Sequence, residues 1–381
     1  MNSTIQPVNN SADIRDFHRV LDVVYAKDPV FVHYIENDVE DVFSPEKNKL
    51  FNKGWQVQRW VAKKGSEPVG RIAAFCRIVE KDSMGNAIIA DKGGIGFFDC
   101  VQDDITAAQL FDTAENWLYQ KGVGDIQAPI NFGDRDSFWG LRIEGTTAPS
   151  YRENYHPAYY RQWFLSRGYE VEIEQFTYDI IEEKFNFERF SKIAERVTAT
   201  GKYTFEFLDY NQLEKFTTDF VTIYNKAWSF HEDFEPLTNE ALLKRFKSIK
   251  PAMPKEFAVF AYDQGEPIGL FISILELNLL FKSFKGKLGL WQKILFMLQR
   301  NSIRKAKGIV FGIIPSHHNL GIETGMIIKF HQGLRALNRV DSMELSWIGD
   351  FNPKMISMLQ SLGAYKTKTH HTFLKKKSSK Y

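Results

Sequence analysis

Gly65-Ser66-Glu67-Pro68-Val69-Gly70-Arg71-Ile72-Ala73-Ala74-Phe75 returns later in the chain as Gln264-Gly265-Glu266-Pro267-Ile268-Gly269-Leu270-Phe271-Ile272-Ser273-Ile274. Each copy has a turn pair, then Glu-Pro, a β-branched residue, a glycine and an apolar run, which reads as the second half of a β-hairpin. The offset of 199 positions (70 to 269) also carries Ile14, Phe17, Leu21 and Tyr25 onto Leu213, Phe216, Phe220 and Tyr224. One spacing held without a gap from helix to hairpin means that a single supersecondary unit is written twice.

Working outward, the first copy reads in order. Ile14, Phe17, Leu21 and Val24 form a helical stripe, and the hairpin strands are expected over 55–62 and 69–75. Residues 95–101 make a further strand. Asp103 and Asp104 open a helix whose apolar face is Ala107, Leu110, Phe111, Ala114, Trp117 and Leu118, and Gly122 stops it. Strand 126–130, a helix over about 157–167 and strand 169–180 complete the unit. The second copy repeats the plan: helix 211–228, strands 256–262 and 268–274, strand 308–314, and a helix carrying Met326, Ile327, Phe330 and Leu334 that Asn338 ends. Strand 343–347, helix 353–362 and strand 365–374 follow. Each unit is α+β, a mixed and mostly antiparallel sheet with one parallel-capable β–α–β step. The expected organisation is an N-terminal unit over 1–181, a helical linker over 182–200 striped by Phe185, Phe190, Ile193 and Val197, and a C-terminal unit over 201–381.

A length of 381 residues fits two domains, and 44% hydrophobic with 25% charged residues allows each a core. A net charge of +2 gives no global field for nucleic acid. Two cysteines, Cys76 and Cys100, lie in apolar stretches without metal spacing. The start, MNSTIQPVNNSADIRD, has no secretory pattern, and no run of eighteen apolar residues occurs. A cytoplasmic location and no metal are the expectations. The pairs His317/His318 and His370/His371 do not chelate alone, since neighbours on a strand face opposite ways.

The element order, the two hairpins, the stretch GIIPSHHNLGIETG and the ends HPAYYRQWFLSRGYEVEIEQF and NPKMISMLQSLGAYKTKTHHTF resemble the GCN5-related N-acetyltransferase (GNAT) superfamily, here as two tandem copies. YNKAWSFHEDFEPLT, MELSWIGDFN and APINFGDRDSFWGLRIEG are similar to segments of a bacterial family of tandem GNAT-like proteins. The resemblance implies an N-acyltransferase that uses acetyl-CoA or another acyl-CoA, with a small-molecule or peptide amine as acceptor. Two further readings stay open: acyl or aminoacyl transfer without CoA, from a charged carrier, and a ligand-binding protein without catalysis.

In such enzymes a loop of the form Gln/Arg-x-x-Gly-x-Gly/Ala lets backbone N–H groups and a helix N-terminus hold the pyrophosphate. Val101-Gln102-Asp103-Asp104-Ile105-Thr106 in the first copy lacks glycine and carries two carboxylates, so capping acids are expected there. The second copy offers His318-Asn319-Leu320-Gly321-Ile322-Glu323, with Gly321 at the first glycine. Ile314, His318, Asn319, Leu320, Gly321 and Ile322 are the expected cofactor contacts. Glu344 is the expected base, with a carboxyl raised by burial, and Ser346 shares its strand face. Asn352 is expected to touch ligand or to cap the next helix. The tyrosine that many GNAT enzymes place near the end of that helix is Leu359 here and Phe164 in the first copy. Trp139 and Tyr151 in the aperiodic stretch 131–156, and Trp228, Phe230 and His231 after the helix of the second copy, are the expected substrate contacts. An insertion over 276–307 sets lysines and arginines around an apolar stripe of Leu290, Trp291, Ile294, Leu295 and Leu298. It reads as a packing helix, a ligand lid or a membrane-surface helix.

Overall fold

The computed structural model describes residues 3–81, 87–132, 136–228 and 237–377. In the first half the elements are β1 (Thr4–Pro7), α1 (Ser11–Val24), α2 (Glu36–Phe43), β2 (Trp55–Lys64), β3 (Glu67–Lys81), β4 (Ala87–Ile89) and β5 (Lys92–Cys100), then α3 (Asp104–Gln120), β6 (Asp125–Ala128), β7 (Leu141–Glu144), α4 (Tyr160–Ser166) and β8 (Glu170–Ile181). α5 (Phe187–Thr198) links to the second half. There follow β9 (Tyr203–Phe207), α6 (Leu213–Trp228), α7 (Asn239–Ile249), β10 (Ala258–Asp263), β11 (Glu266–Leu275), α8 (Asn278–Phe281), α9 (Leu290–Gln299), β12 (Lys305–Ile313), α10 (Ile322–Leu337), β13 (Ser342–Gly349), α11 (Pro353–Ser361) and β14 (Tyr365–Lys375).

The repeated hairpin is a repeated geometry. Ala62 pairs Gly70 and Lys63 pairs Pro68, so Val69 is an extra residue; Ala261 pairs Gly269 and Tyr262 pairs Pro267, so Ile268 is the same bulge. A proline has no N–H to give the ladder, and a bulge at that position absorbs the loss. The glycine beyond it lets a helix approach. A Cβ at Gly70 would lie 2.7 Å from Leu110 of α3, and one at Gly269 would lie 3.3 Å from Met326 of α10.

Among the described residues the fourteen strands join one sheet, whose path runs β1-β2-β3-β5-β6-β14-β8-β13-β12-β11-β10-β9, with β4 on β3 and β7 on β14. β5–β6 and β12–β13 are parallel pairs, one for each β–α–β step. The last strand of each half sits beside the penultimate path strand of the other: β14 pairs β6, and β8 pairs β13. β8 and β14 also pair each other from Tyr365–Asp179 to Leu374–Glu170. One apolar core lies around Phe257, Phe260 and Met326 in the second half, another around Phe98, Phe111 and Phe164 in the first. α5 packs through Phe190 and Ala194 on Ile327 and Ile328 of α10. Among the described residues no helix is long and apolar enough to cross a membrane.

Candidate functional site

The two parallel pairs end differently. β12 and β13 are in register from Lys305–Ser342 to Gly308–Leu345, and beyond that they part. An open groove of about 1690 Å³ enters there. Its second-half wall includes Gly308, Ile309, Val310, Phe311, Phe330 and Leu345, and the first half adds Trp55, Phe75 and Ile130. β5 and β6 instead close up past their register, because Ile130 donates its N–H to the Ile95 carbonyl at 2.9 Å and a Cβ at Gly96 would run into the Ile130 carbonyl.

The helices that follow also start differently. Asp103 caps α3: its carboxylate accepts from the Ile105 N–H at 3.2 Å and from the Thr106 hydroxyl, and it pairs with Lys64 at 2.7 Å. The bonds from Lys64 and Thr106 pull this carboxyl down to about 2. These two acids therefore include a helix cap, as their position before α3 suggested. α10 begins at Gly321, whose φ of +78° is left-handed and which has no side chain to cap the first turn. Asn319, at φ +62°, is also left-handed. Uncapped N–H groups at a helix start form a seat for an anion. His318 turns back to the Ile313 carbonyl at 2.9 Å. Ile314 is buried, its N–H donated to Ile268 at 2.9 Å. His318, Asn319 and Leu320 are exposed at the tip. None of this loop lines the groove.

The expectation for Glu344 is corrected. It is 2% exposed and lies in a buried ionic cluster, 3.1 Å from both Lys305 and Lys368. Lys368 pairs with Glu153 at 2.6 Å, and Lys305 with Asp179 at 2.8 Å. Lys307 reaches the Ser150 hydroxyl and the Tyr151 carbonyl, both at 2.7 Å. Burial pushes the Glu344 carboxyl up, but Lys368, Lys305 and Lys307 outweigh it and hold it well below the usual carboxylate range. A carboxylate so held is a poor proton acceptor, and it does not line the groove. Two carboxyls of this cluster are raised: burial pushes Asp179 up, and it pushes Glu276 up to about 7 against the pull of Lys307.

Ser346 and Asn352 line the groove, and Asn352 caps α11 by accepting the Met355 N–H at 3.2 Å. Trp228 lines it too, laid against Gly312 and stacked on Tyr224 at 4.8 Å. Trp139 and Tyr151 stand apart from it. Trp139 is buried 4.5 Å from the His370 ring, and Tyr151 donates its hydroxyl to Asp38 at 2.6 Å. Phe230 and His231 lie outside the described residues. Leu359 is buried at the groove wall and Phe164 is in the first core.

Sequence reasoning missed one polar pair. His331 of α10 lines the groove, and its Nε2 lies 2.9 Å from Glu182, which follows β8. The rings of Phe185 and Phe187 flank it at 4.7 and 5.0 Å. Spacing cannot join residues 182 and 331; only the pairing of β8 with β13 does so.

No family model matches the chain. Protein YghO of Escherichia coli (strain K12) is 24% identical over 374 residues, covering 96% of this chain and 93% of its own. The bacterial ceramide synthase of Caulobacter vibrioides is 24% identical over 382 residues, 98% of this chain and 97% of its own. Among solved structures, a tandem GNAT protein from the clavulanic acid biosynthesis pathway superposes over the whole of both chains with a TM-score of 0.56 at 10% identity. A GCN5-related glucosamine N-acetyltransferase region of a fungal multi-domain β-N-acetylglucosaminidase superposes with a TM-score of 0.57 at 12% identity, over 98% of this chain and 38% of that one. With its doubled hairpin and two parallel β–α–β steps, the chain has the tandem GNAT fold.

Proposed function

We propose that the chain is an acyl-CoA-dependent N-acyltransferase whose second copy seats the donor. The observation that carries this reading is the contrast between the copies: in the second, β12 and β13 part into a groove and the helix that follows β12 starts uncapped, while the first copy is zipped by Ile130 and capped by Asp103. The pyrophosphate would lie on the backbone of residues 319–322 and the thioester arm in the strand gap. The free amine attacks the thioester carbonyl carbon, the C–S bond breaks, CoA leaves as thiolate, and the ammonium proton passes to a base. We assign that base to His331, whose ring lines the groove; Glu182 holds its Nε2, which leaves the buried Nδ1, without a hydrogen-bond partner, to take the proton.

The acceptor we infer is an amine on a long apolar chain, of the sphingoid-base class. The aromatic and aliphatic groove wall supports this, as does the end-to-end match to a protein named as a ceramide synthase. The test is mass spectrometry of the protein incubated with acetyl-, octanoyl- or palmitoyl-CoA and a long-chain amino alcohol. An N-acyl product formed in step with thiol release is expected. CoA binding with no amide from any of these donors would contradict the proposal and favour a ligand-binding protein.

A further inference from the structure

The insertion does two things in sequence. Its first part closes on the first half of the molecule: the Glu36 N–H donates to the Gly286 carbonyl at 2.9 Å, Lys282 reaches the Pro29 carbonyl at 2.6 Å, and Lys287 pairs with Glu36 at 2.5 Å. Phe281 packs on Tyr151 at 5.6 Å. α9 then turns only part of its surface inward, with Phe296 buried and Leu295 partly buried against the second core.

The opposite side of α9 is apolar and open. Leu290 is 78% exposed, Trp291 65%, Leu298 74%, Met297 48% and Ile294 41%. At about 100° per residue these five positions fall within roughly 120° of the helix circumference. An apolar face of this density is unusual on a helix that has no protein over it. Lys293 flanks the face, and neither it nor Lys285 pairs with any described acid. At the C-terminal foot of α9 a pocket of about 610 Å³ is lined by Lys250, Arg300 and Arg339. Arg300 holds the Pro251 carbonyl at 2.7 Å, Arg339 holds the Asn301 side chain, and the Arg339 Nε is buried without a hydrogen-bond partner. The only acid in the insertion, Glu276, is buried in the ionic cluster.

We infer that α9 is an in-plane docking helix for an anionic lipid bilayer, with Leu290, Trp291, Ile294, Met297 and Leu298 entering the interface and Lys285, Lys293 and Arg300 meeting the headgroups. The charge around the face selects this occupant over a second copy of the chain, whose matching face would bring the same cations together. A tryptophan among leucines suits the headgroup boundary, and basic flanks add electrostatic attraction that falls with salt.

The test is vesicle flotation of the full chain with phosphatidylcholine alone and with about one third phosphatidylglycerol. The wild type should float with the anionic vesicles, at least about tenfold more than with neutral ones, and should be released by high salt. The double variant Leu290→Asp, Leu298→Asp should lose flotation, with an unchanged melting temperature because both residues are exposed. Lys285→Ala with Lys293→Ala should abolish the preference for anionic vesicles. Equal flotation of the wild type and the double aspartate variant would overturn the inference. So would absence of flotation together with a dimer that the aspartates dissociate, since the face would then belong to a second copy.

Discussion

Glu344 shows what a single residue's surroundings decide. An acid on a strand beside a cleft reads as a base, but its register opposite Asp179 and Lys307 places it among three lysines. No local pattern announces those partners, because Lys368 and Glu153 come from segments far away in sequence. Glu344→Gln should act on stability: removing one charge leaves Lys305 and Lys368 underpaired in the interior, at a cost of about 3–5 kcal/mol, readable as a lower melting temperature. The depressed carboxyl stabilises the fold above the ordinary glutamate range and loses that contribution as pH falls below it. Glu276 has the opposite sign. With its folded value raised to about 7, the unfolded chain sheds its proton first, so stability falls as pH rises from the ordinary glutamate range through that value. The buried His156, His370 and His371, lowered by burial, add the opposite slope, so the contribution of Glu276 is read as a difference: between about pH 5 and about pH 8 the melting temperature of Glu276→Gln should gain on that of the wild type as pH rises. Equal slopes would remove Glu276 from the linkage.

Among the elements, the repeated ones were the legible ones. The hairpins, the helices at α1, α3, α6, α10 and α11, and the strands they join all follow from period and stop residues, with Gly122 and Asn338 left-handed where the helices end. β1, α2, β4, β7, β9, α7 and α8 were not read. β1, β7 and β9 have only four or five residues each, and their apolar content does not separate them from loop. The polar and charged α7 buries only Leu242 and Phe246. At the helix starts the sequence did suffice: a capped α3 and a glycine-opened α10 are visible as Asp103 and Gly321. His331 was not legible, since α10 reads as an apolar stripe and Glu182 reaches it only through the sheet. His331→Gln should lower kcat by about 10²–10⁴-fold with little change in KM, whereas a merely packing role would lower the melting temperature and leave the rate of the remaining folded protein intact.

At the scale of the whole molecule, the doubling was visible in the sequence and the exchange of last strands was not. Both β8 and β14 read as closing strands of their own units, yet β14 lies between β6 and β8, and β8 lies against β13. Residues 201–381 alone would leave β14 and β13 without their neighbours β6 and β8 and would strand Lys368 and Lys305 away from Glu153 and Asp179. The full chain should melt in one transition, and the isolated segment 201–381 should aggregate or melt lower; a monomeric segment with the same melting temperature would contradict this. The groove likewise takes walls from both halves while the proposed donor seat belongs to one. That asymmetry is the central claim, and calorimetric titration with palmitoyl-CoA tests it most directly, on the wild type beside Asp103→Ala, Gly321→Trp and Ile309→Trp. Binding kept by Asp103→Ala and lost by both the loop variant and the variant that fills the strand gap is the predicted result. Binding lost in Asp103→Ala, and kept in the other two, would place the donor in the first copy and contradict the account.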